Sequence, residues 1–448
     1  MKPGSARIAI TGLACRYPGL QDTQALARQL GGPAVQAGAT LPPSEASYAD
    51  FGIPPIYRGS INRVQLDVLS LAREALGQAG LAEGAFDTER TDVLFCTALA
   101  MNRCIENHAR VLGVELAAAY ASGLPAASQS ALLATSKAQL DRAFAATSHD
   151  KVGEMASTIA ARVAACFKLR GRALALEAAD LGGVEALLAA QDALLHGLAD
   201  TVLVVGAQRI ESPNSHTLLA ALAGAELAAR WREGACAIVL QRAPREGERV
   251  LAWLDAVQLD TQPTDTPWRD WALSSSTAPA PRLWVLGGLL QQAPTDLQAP
   301  GDALLQAADA CGYGHSVQAL SSLAQAVLGC QTPHTNSHAV VLGLGLDGSR
   351  YALHVGAAHG APPPCASPMQ PAHGGAAVAV LSYGASFGAT QGQHAYWQTL
   401  RSGRSGFRPL QGDGRFQAAL YRSSAEQPTL GYYIEQASFV DANGPDAA

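Results

Sequence analysis

The run from Ala173 to Gly206 constrains this chain most, because it spells a complete strand, turn, helix and strand. Ala173-Leu-Ala-Leu-Glu-Ala178 is a mostly apolar run bounded by Gly171 and by the turn Asp180-Leu-Gly-Gly183, which predicts a strand. Val184, Leu187, Leu188, Leu194 and Leu195 recur at spacings of three, four and seven, and His196-Gly197 supplies a stop, so a helix is expected there. Thr201-Val-Leu-Val-Val-Gly206 reads as a second strand, apolar enough to be buried on both faces. The unit is a βαβ crossover with Asp180 at the helix N-terminus.

A side chain at that turn meets unpaired backbone N–H groups and the positive end of the helix dipole, which would stabilise a thiolate. A cysteine there would be a nucleophile; this chain has Asp180. Aspartate is also a preferred N-cap, accepting from an N–H two or three residues on. Both a capping role and a chemical one are open for Asp180 on the sequence alone.

Ala173 to Leu187 (ALALEAADLGGVEAL) resembles the active-site segment of β-ketoacyl synthases, in which the residue aligned with Asp180 is cysteine. The resemblance continues in family order. Ile8 to Gly19 is similar to the opening strand and loop, and Phe51-Gly-Ile-Pro-Pro55 with the helical Gln65 to Ala79 to the first large helix. Ala156 to Phe167 with Leu169-Arg-Gly171 is similar to the helix and turn before the nucleophile, and Gly234 to Leu240 to the strand that opens the second half. Gly312-Tyr-Gly-His315, with a following helix that places Val317, Leu320, Leu323, Ala324, Val327 and Leu328 on one face, resembles the segment carrying a catalytic histidine. The implied fold is α/β and thiolase-like, five-layered α-β-α-β-α, built from two similar halves and dimerising through a strand near the nucleophile turn.

Departures from the family pattern bear on chemistry. Leu283-Trp-Val-Leu-Gly-Gly288 has the strand that ends in a catalytic histidine in family members, but no histidine. Ala310 or Cys311 stands in place of a lysine, and Gly312 in place of an asparagine, leaving His315 as the retained histidine. Decarboxylative condensation needs a thiolate and donors for the enolate. The resemblance therefore implies a condensation-inactive, chain-length-factor-like partner of an active ketosynthase. Whether the chain is an enzyme stays open: the alternative is an acyl-thioester decarboxylase or hydrolase with Asp180 as base and His315 as partner. His315 itself reads equally as a packed core histidine.

With 448 residues, 48% of them hydrophobic, the chain can bury a large core and form more than one domain. A net charge of −6 without a Lys/Arg-rich run excludes a nucleic-acid or anionic-membrane surface as the expected partner. There is no apolar run of spanning length, and Met1-Lys-Pro-Gly leads into a strand rather than a signal peptide, so a cytoplasmic location is expected. Eight cysteines without a C-x-x-C pair suggest neither zinc nor a disulfide framework. His334-Thr-Asn-Ser-His338 lacks a cysteine or carboxylate at ligand spacing, so no metal is expected. No cofactor is implied either; acyl groups would arrive on the phosphopantetheine of an acyl-carrier protein. Expected partners are that carrier and an active ketosynthase or a second copy.

Thr261 to Arg282, rich in Pro and Ser, reads as an irregular surface connection. Gly356 to Gly375 is Pro/Ala/Gly-rich and reads as a linker between domains at 1–355 and 376–448. Val378 to Ala389 aligns without gaps on Ile8 to Gly19, Tyr396 to Gly403 completes a helix opening, and Gly431 to Phe439 resembles the hairpin that follows. The last segment thus reads as the start of a second ketosynthase-like domain, in a longer multidomain synthase or a truncated gene.

Overall fold

The computed structural model describes residues 7–35, 38–82, 84–98, 102–145, 149–150, 153, 155–210, 213–242, 244, 248–274, 283–297, 302–331, 338–358, 380, 382, 386–387, 390–409 and 436–438. The chain divides into two compact units, residues 1–104 with 149–371, and residues 105–148 with 372–448. In the first, ten strands form one sheet: β1 (Ile8–Arg16), β2 (Thr91–Cys96), β3 (Ala173–Leu176), β4 (Thr201–Gln208), β5 (Gly234–Gln241), β6 (Ala252–Asp260), β7 (Leu283–Gly288), β8 (Ala303–Gln306), β9 (His338–Leu344) and β10 (Arg350–Ala357). The helices among the described residues are α1 (Thr23–Gln29), α2 (Arg63–Gln78), α3 (Asn102–Ala121), α4 (Ala126–Ala143), α5 (Ala156–Phe167), α6 (Gly182–Leu195), α7 (Pro213–Ala223), α8 (Ala225–Arg230), α9 (Trp268–Leu273), α10 (Ala307–Cys311), α11 (Gln318–Gln331) and α12 (Gly392–Ser402).

The strand order β3-β2-β4-β5-β1-β6-β10-β9-β7-β8 contains an internal repeat. Counted within its own half, each set of five runs 3-2-4-5-1. In both halves the second strand is parallel to the third and fourth, and the remaining pairings are antiparallel. The halves join where Ile8–Ile10 of β1 pair antiparallel with Ala252–Leu254 of β6. Two similar halves, as expected from the sequence, therefore meet about an approximate two-fold at that short ladder.

Side-chain alternation along the strands builds the layers. Val93 and Phe95 of β2, with Leu203 and Val205 of β4, face an outer core filled from α2 and α5, while Leu94, Cys96, Val202 and Val204 face the opposite way. That second face meets α6 and α11, whose Val184, Leu187, Leu320 and Leu323 also cover Val285, Val341 and Leu353 of the other half. Trp284, Leu286, Val340 and Leu342 point outward again, under Ala272 of α9. The result is the five-layered α-β-α-β-α arrangement. Nearly all of α11 is buried because both halves of the sheet flank it, so each of its leucines contributes about 1.5–3 kcal/mol.

Thr261–Arg282 is not wholly irregular: α9 forms within it, and Trp268 and Trp271 pack edge to face (5.9 Å between centroids) to roof the outer sheet face. Strand β10 runs to Ala357, two residues into the Pro/Ala/Gly-rich stretch; residues 359–379 lie outside the described set. Of the segment similar to Ile8–Gly19, the described part holds the two-residue strand β11 (Ser386–Phe387), followed by β12 (Thr390–Gln391) and α12. Of Gly431–Phe439, residues 436–438 are described, and β14 (Gln436–Ala437) pairs with β13 (Arg408–Pro409). The second unit also contains α4 and most of α3, where a Cβ on Gly113 would approach Leu140 to 2.8 Å.

One buried ionic cluster fastens the first unit. Arg209, after β4, donates to both oxygens of Asp67 on α2 (2.7 and 3.0 Å), to Glu233 before β5 (2.8 Å) and to the Leu41 carbonyl (2.9 Å). Glu233 also accepts from the N–H groups of Leu41 (2.6 Å) and Ile210 (2.8 Å).

Candidate functional site

Strand β3 ends at Leu176 and the chain turns through a single 3-10 turn, Ala179–Leu181, into α6. Ala179 adopts φ 46°, in the left-handed region that costs a non-glycine residue about 1–3 kcal/mol. His315 shares that region with φ 49°, at the head of the turn before α11. These two turns pack on each other. Gly183 permits it, since a Cβ there would come within 3.2 Å of Ala319 Cβ and of the Ser316 carbonyl oxygen.

Asp180 is buried and does not cap α6, whose N-terminus has no side-chain cap. The capping reading fails because Asp180 sits inside the tight turn, and its carboxylate is directed across the fold. Oδ2 accepts from the Leu346 N–H at 2.9 Å, and the carboxylate also accepts from its own N–H. Leu346 follows β9 in the turn that ends with the Gly345 N–H bonded to the Ser349 carbonyl. Burial pushes the Asp180 carboxyl up to about 6 against these two bonds, and the Asp347 charge adds to the rise.

His315 is 1% exposed and packs against Trp231 and Tyr313, with ring centroids 6.2 and 6.0 Å away. Burial holds its imidazole down at about 4, so it is neutral at pH 7. Its Nδ1 has no hydrogen-bond partner among the described residues. The fold brings the segments of Asp180 and His315 together, yet no hydrogen bond or ion pair links the two side chains among the described residues. The buried phenols of Tyr313 and Tyr351 lie close enough to Asp180 for its charge to add to the burial that raises both.

The end of β7 has no room for a side chain. A Cβ on Gly288 would lie 2.3 Å from the Leu344 carbonyl oxygen, and one on Gly287 would lie 2.5 Å from Ser322 Oγ and 3.0 Å from Tyr351 Oη. The space beside this strand end is taken by tyrosine. Ala310 and Cys311 are buried, with Cys311 Sγ 3.3 Å from Gln325 Nε2. Among the described residues no group of His, Cys, Asp and Glu is arranged to hold a metal; His338 lies buried on β9 and His334 falls outside the described set. Leu346 and Tyr351 were not legible as site residues in the sequence, although Asp347-Gly348 marks the turn that presents Leu346.

A profile of the β-ketoacyl synthase N-terminal domain family matches residues 5–237, more than half of the chain. No curated protein sequence matches it. Among solved structures it is similar to the PfaC ketosynthase–chain length factor (TM-score 0.59, 15% identity), covering 79% of this chain and 43% of that one. It is similar to the ketosynthase of the AntDE:AntF complex with a type II polyketide acyl-carrier protein (0.58, 14%; 79% and 99%), and to the ishigamide ketosynthase/chain length factor (0.55, 17%; 78% and 99%). The chain thus spans less than half of the PfaC protein. At these identities the structural likeness establishes the fold; with the profile match over β1 to β5 and its turn at Asp180, the chain belongs to the β-ketoacyl synthase family.

Proposed function

We propose that this chain is a condensation-inactive member of its family, acting like a chain-length factor beside an active ketosynthase. The observation that carries the reading is the bonding of Asp180. Two backbone N–H groups from separate segments converge where an acyl oxygen would need donors, and the Asp180 carboxylate already occupies them. A carboxylate held this way is a poor acyl acceptor. The closed strand end at Gly288 and the apolar Ala310 remove two further catalytic groups that the family resemblance implies.

The decarboxylase or hydrolase alternative has less support. An Asp180 carboxyl near 6 suits a general base, but among the described residues His315 is not bonded to it, and the titratable groups nearest it, Asp347 and the Tyr313 and Tyr351 phenols, make no hydrogen bond to it. An Asp180→Ala variant with unchanged turnover would remove that alternative.

Partner choice follows from the sheet edge. Strand β3 pairs with β2 on one side, and its Leu174 is 44% exposed, leaving a short apolar edge suited to strand pairing with a related chain. The similar ketosynthase/chain length factor structure, and that of a ketosynthase with its acyl-carrier protein, support a ketosynthase and a carrier as partners. No described helix is long and apolar enough to cross a membrane, and we place the assembly in the cytoplasm. Co-expression with a catalytically competent ketosynthase from the same source, followed by light scattering, should give a stable complex. Leu174→Arg should weaken that complex at least about tenfold, because a charge on an edge strand blocks pairing. Absence of any complex would overturn the proposal.

A further inference from the structure

Strand β9 ends beside the turn that bonds Asp180, and at its far end two histidines stand together. His338 opens β9 and His354 lies on the neighbouring β10, on the outer face that Val340, Leu342 and Ala352 share under α9. Their rings lie 5.6 Å apart, and the side chains are buried. The His354 Nε2–H donates to the Ala272 carbonyl of α9 (3.0 Å). His354 Nδ1 and both nitrogens of His338 have no hydrogen-bond partner among the described residues. A β-bulge brings a carboxylate to this pair: β10 sets His354 opposite Ala256 and Val355 opposite Leu254, so Asp255 is the extra residue of β6. Asp255 Oδ2 lies 3.7 Å from His338 Nε2. The same carboxylate accepts from Arg7, Nε to Oδ1 at 2.6 Å and Nη2 to Oδ2 at 3.5 Å. Arg7 precedes β1, so this ion pair crosses the junction of the two halves beside the ladder of Ile8–Ile10.

The charge balance of the cluster changes with pH. Among the described residues, the other charged groups on the elements packed here are engaged elsewhere or exposed. Arg269 of α9 donates to the Leu297 carbonyl and to Asp302, Asp270 is exposed, and Asp260 of β6 pairs with Arg350 of β10. Strand β7 carries no charged residue. Cys330 of α11 reaches the Val355 carbonyl, and burial with the Asp255 charge pushes its thiol up to about 12, so it stays protonated. Near neutrality the cluster is therefore one Arg7–Asp255 pair beside two neutral imidazoles. Burial, aided by the Arg7 charge, holds His338 down at about 4, and burial with the His338 charge holds His354 there too. Because both folded values lie below the ordinary one, their contribution to stability is fully present above about 6.5 and is lost as pH falls toward 4.

We propose that His338, His354 and Asp255 form an acid-operated latch: in a mildly acidic medium the two imidazoles and Arg7 place three cations on one buried carboxylate, and α9 with the adjoining ends of β9 and β10 opens while the rest of the sheet holds. The inference stands whether or not Asp180 handles acyl groups. It is tested on the full chain by hydrogen exchange and mass spectrometry at pH 7.5 and 5, each rate divided by the intrinsic rate at that pH. Each histidine shifts the closed-to-open equilibrium by about 30-fold over this range, so peptides from α9 and from residues 338–340 and 354–357 should lose protection by about a hundredfold or more. Peptides from β4 and β5 should keep theirs. His338→Gln, which gives up no hydrogen bond, should restore at least about tenfold of the loss, and the double variant with His354→Gln should abolish it. Imidazole titration by NMR on the unsubstituted chain needs no variant: both rings should stay neutral down to pH 5 in the closed form. Equal protection at the two pH values, a loss spread evenly over the sheet, a loss that the double variant retains, or both rings titrating at the ordinary value with protection intact overturns the inference.

Discussion

Arg209→Leu should destabilise the protein by about 3–5 kcal/mol, the range for breaking a buried ion pair by removing one partner. Arg209, Asp67 and Glu233 are each at most 2% exposed, so the substitution strands two carboxylates in a low-dielectric interior. It also unpairs the Leu41 carbonyl, which Arg209 now satisfies at 2.9 Å. The effect extends to folding as a whole, because the cluster ties α2, the end of β4, the start of β5 and the Leu41 loop together. Urea unfolding followed by circular dichroism measures it. Replacing Arg209 and Asp67 together by leucine should recover part of the loss, since one of the two stranded charges is then gone. A loss below about 1 kcal/mol in the single variant would contradict this account of the cluster.

The second large effect has the opposite sign. With its carboxyl raised from the ordinary range to about 6, Asp180 binds a proton more readily in the folded chain than in the unfolded one. Its contribution to stability is therefore fully present below the unfolded carboxylate range and is lost as pH rises through about 6. Above that, the buried charge costs about 3 kcal/mol at most, from a difference of roughly two pH units. Asp180→Asn keeps an acceptor for the Leu346 N–H and carries no charge. It should stabilise the protein by about 2–3 kcal/mol at pH 8 and give no gain near pH 4. Paired thermal melts at the two pH values test this; equal effects at both would mean that the charge is not the origin of the strain.

The expected stabilisation by Asp180→Asn would mean that local stability does not explain the aspartate at this turn. The carboxylate instead holds the Leu346 N–H in the turn after β9. Ala179 and His315 keep left-handed backbones, the type of strain that clusters at sites of chemistry or ligand contact.

What the sequence revealed follows from the range of the interactions involved. Helix α6 and strand β4 were readable because hydrophobic patterning is local, whereas helix α5 and strand β5, which begins at the expected Gly234, were placed by the family resemblance. Helix α9 was not, since six residues in a Pro- and Ser-rich window carry too little period to register, and its helicity depends on the packing of Trp268 and Trp271 against the sheet. The bonding of Asp180 was not legible for a similar reason. An N-cap is a bond to a near neighbour, whereas the actual partner is Leu346, 166 residues away. The Arg209 cluster spans α2 and two strands and has no local signature. The repeated 3-2-4-5-1 strand order likewise emerges only from pairing, although the family resemblance implied two similar halves.

The most direct test of the central claim is intact-protein mass spectrometry of the purified chain, alone and with an active ketosynthase that it binds, after incubation with acyl- and malonyl-loaded carrier protein, with carbon dioxide release followed in parallel. The expected result is no acyl adduct on this chain and no carbon dioxide from it alone, with acylation confined to the partner in a complex that persists. An acyl adduct on this chain, or carbon dioxide release by the chain alone that Asp180→Asn abolishes, would show a working active site and contradict the account.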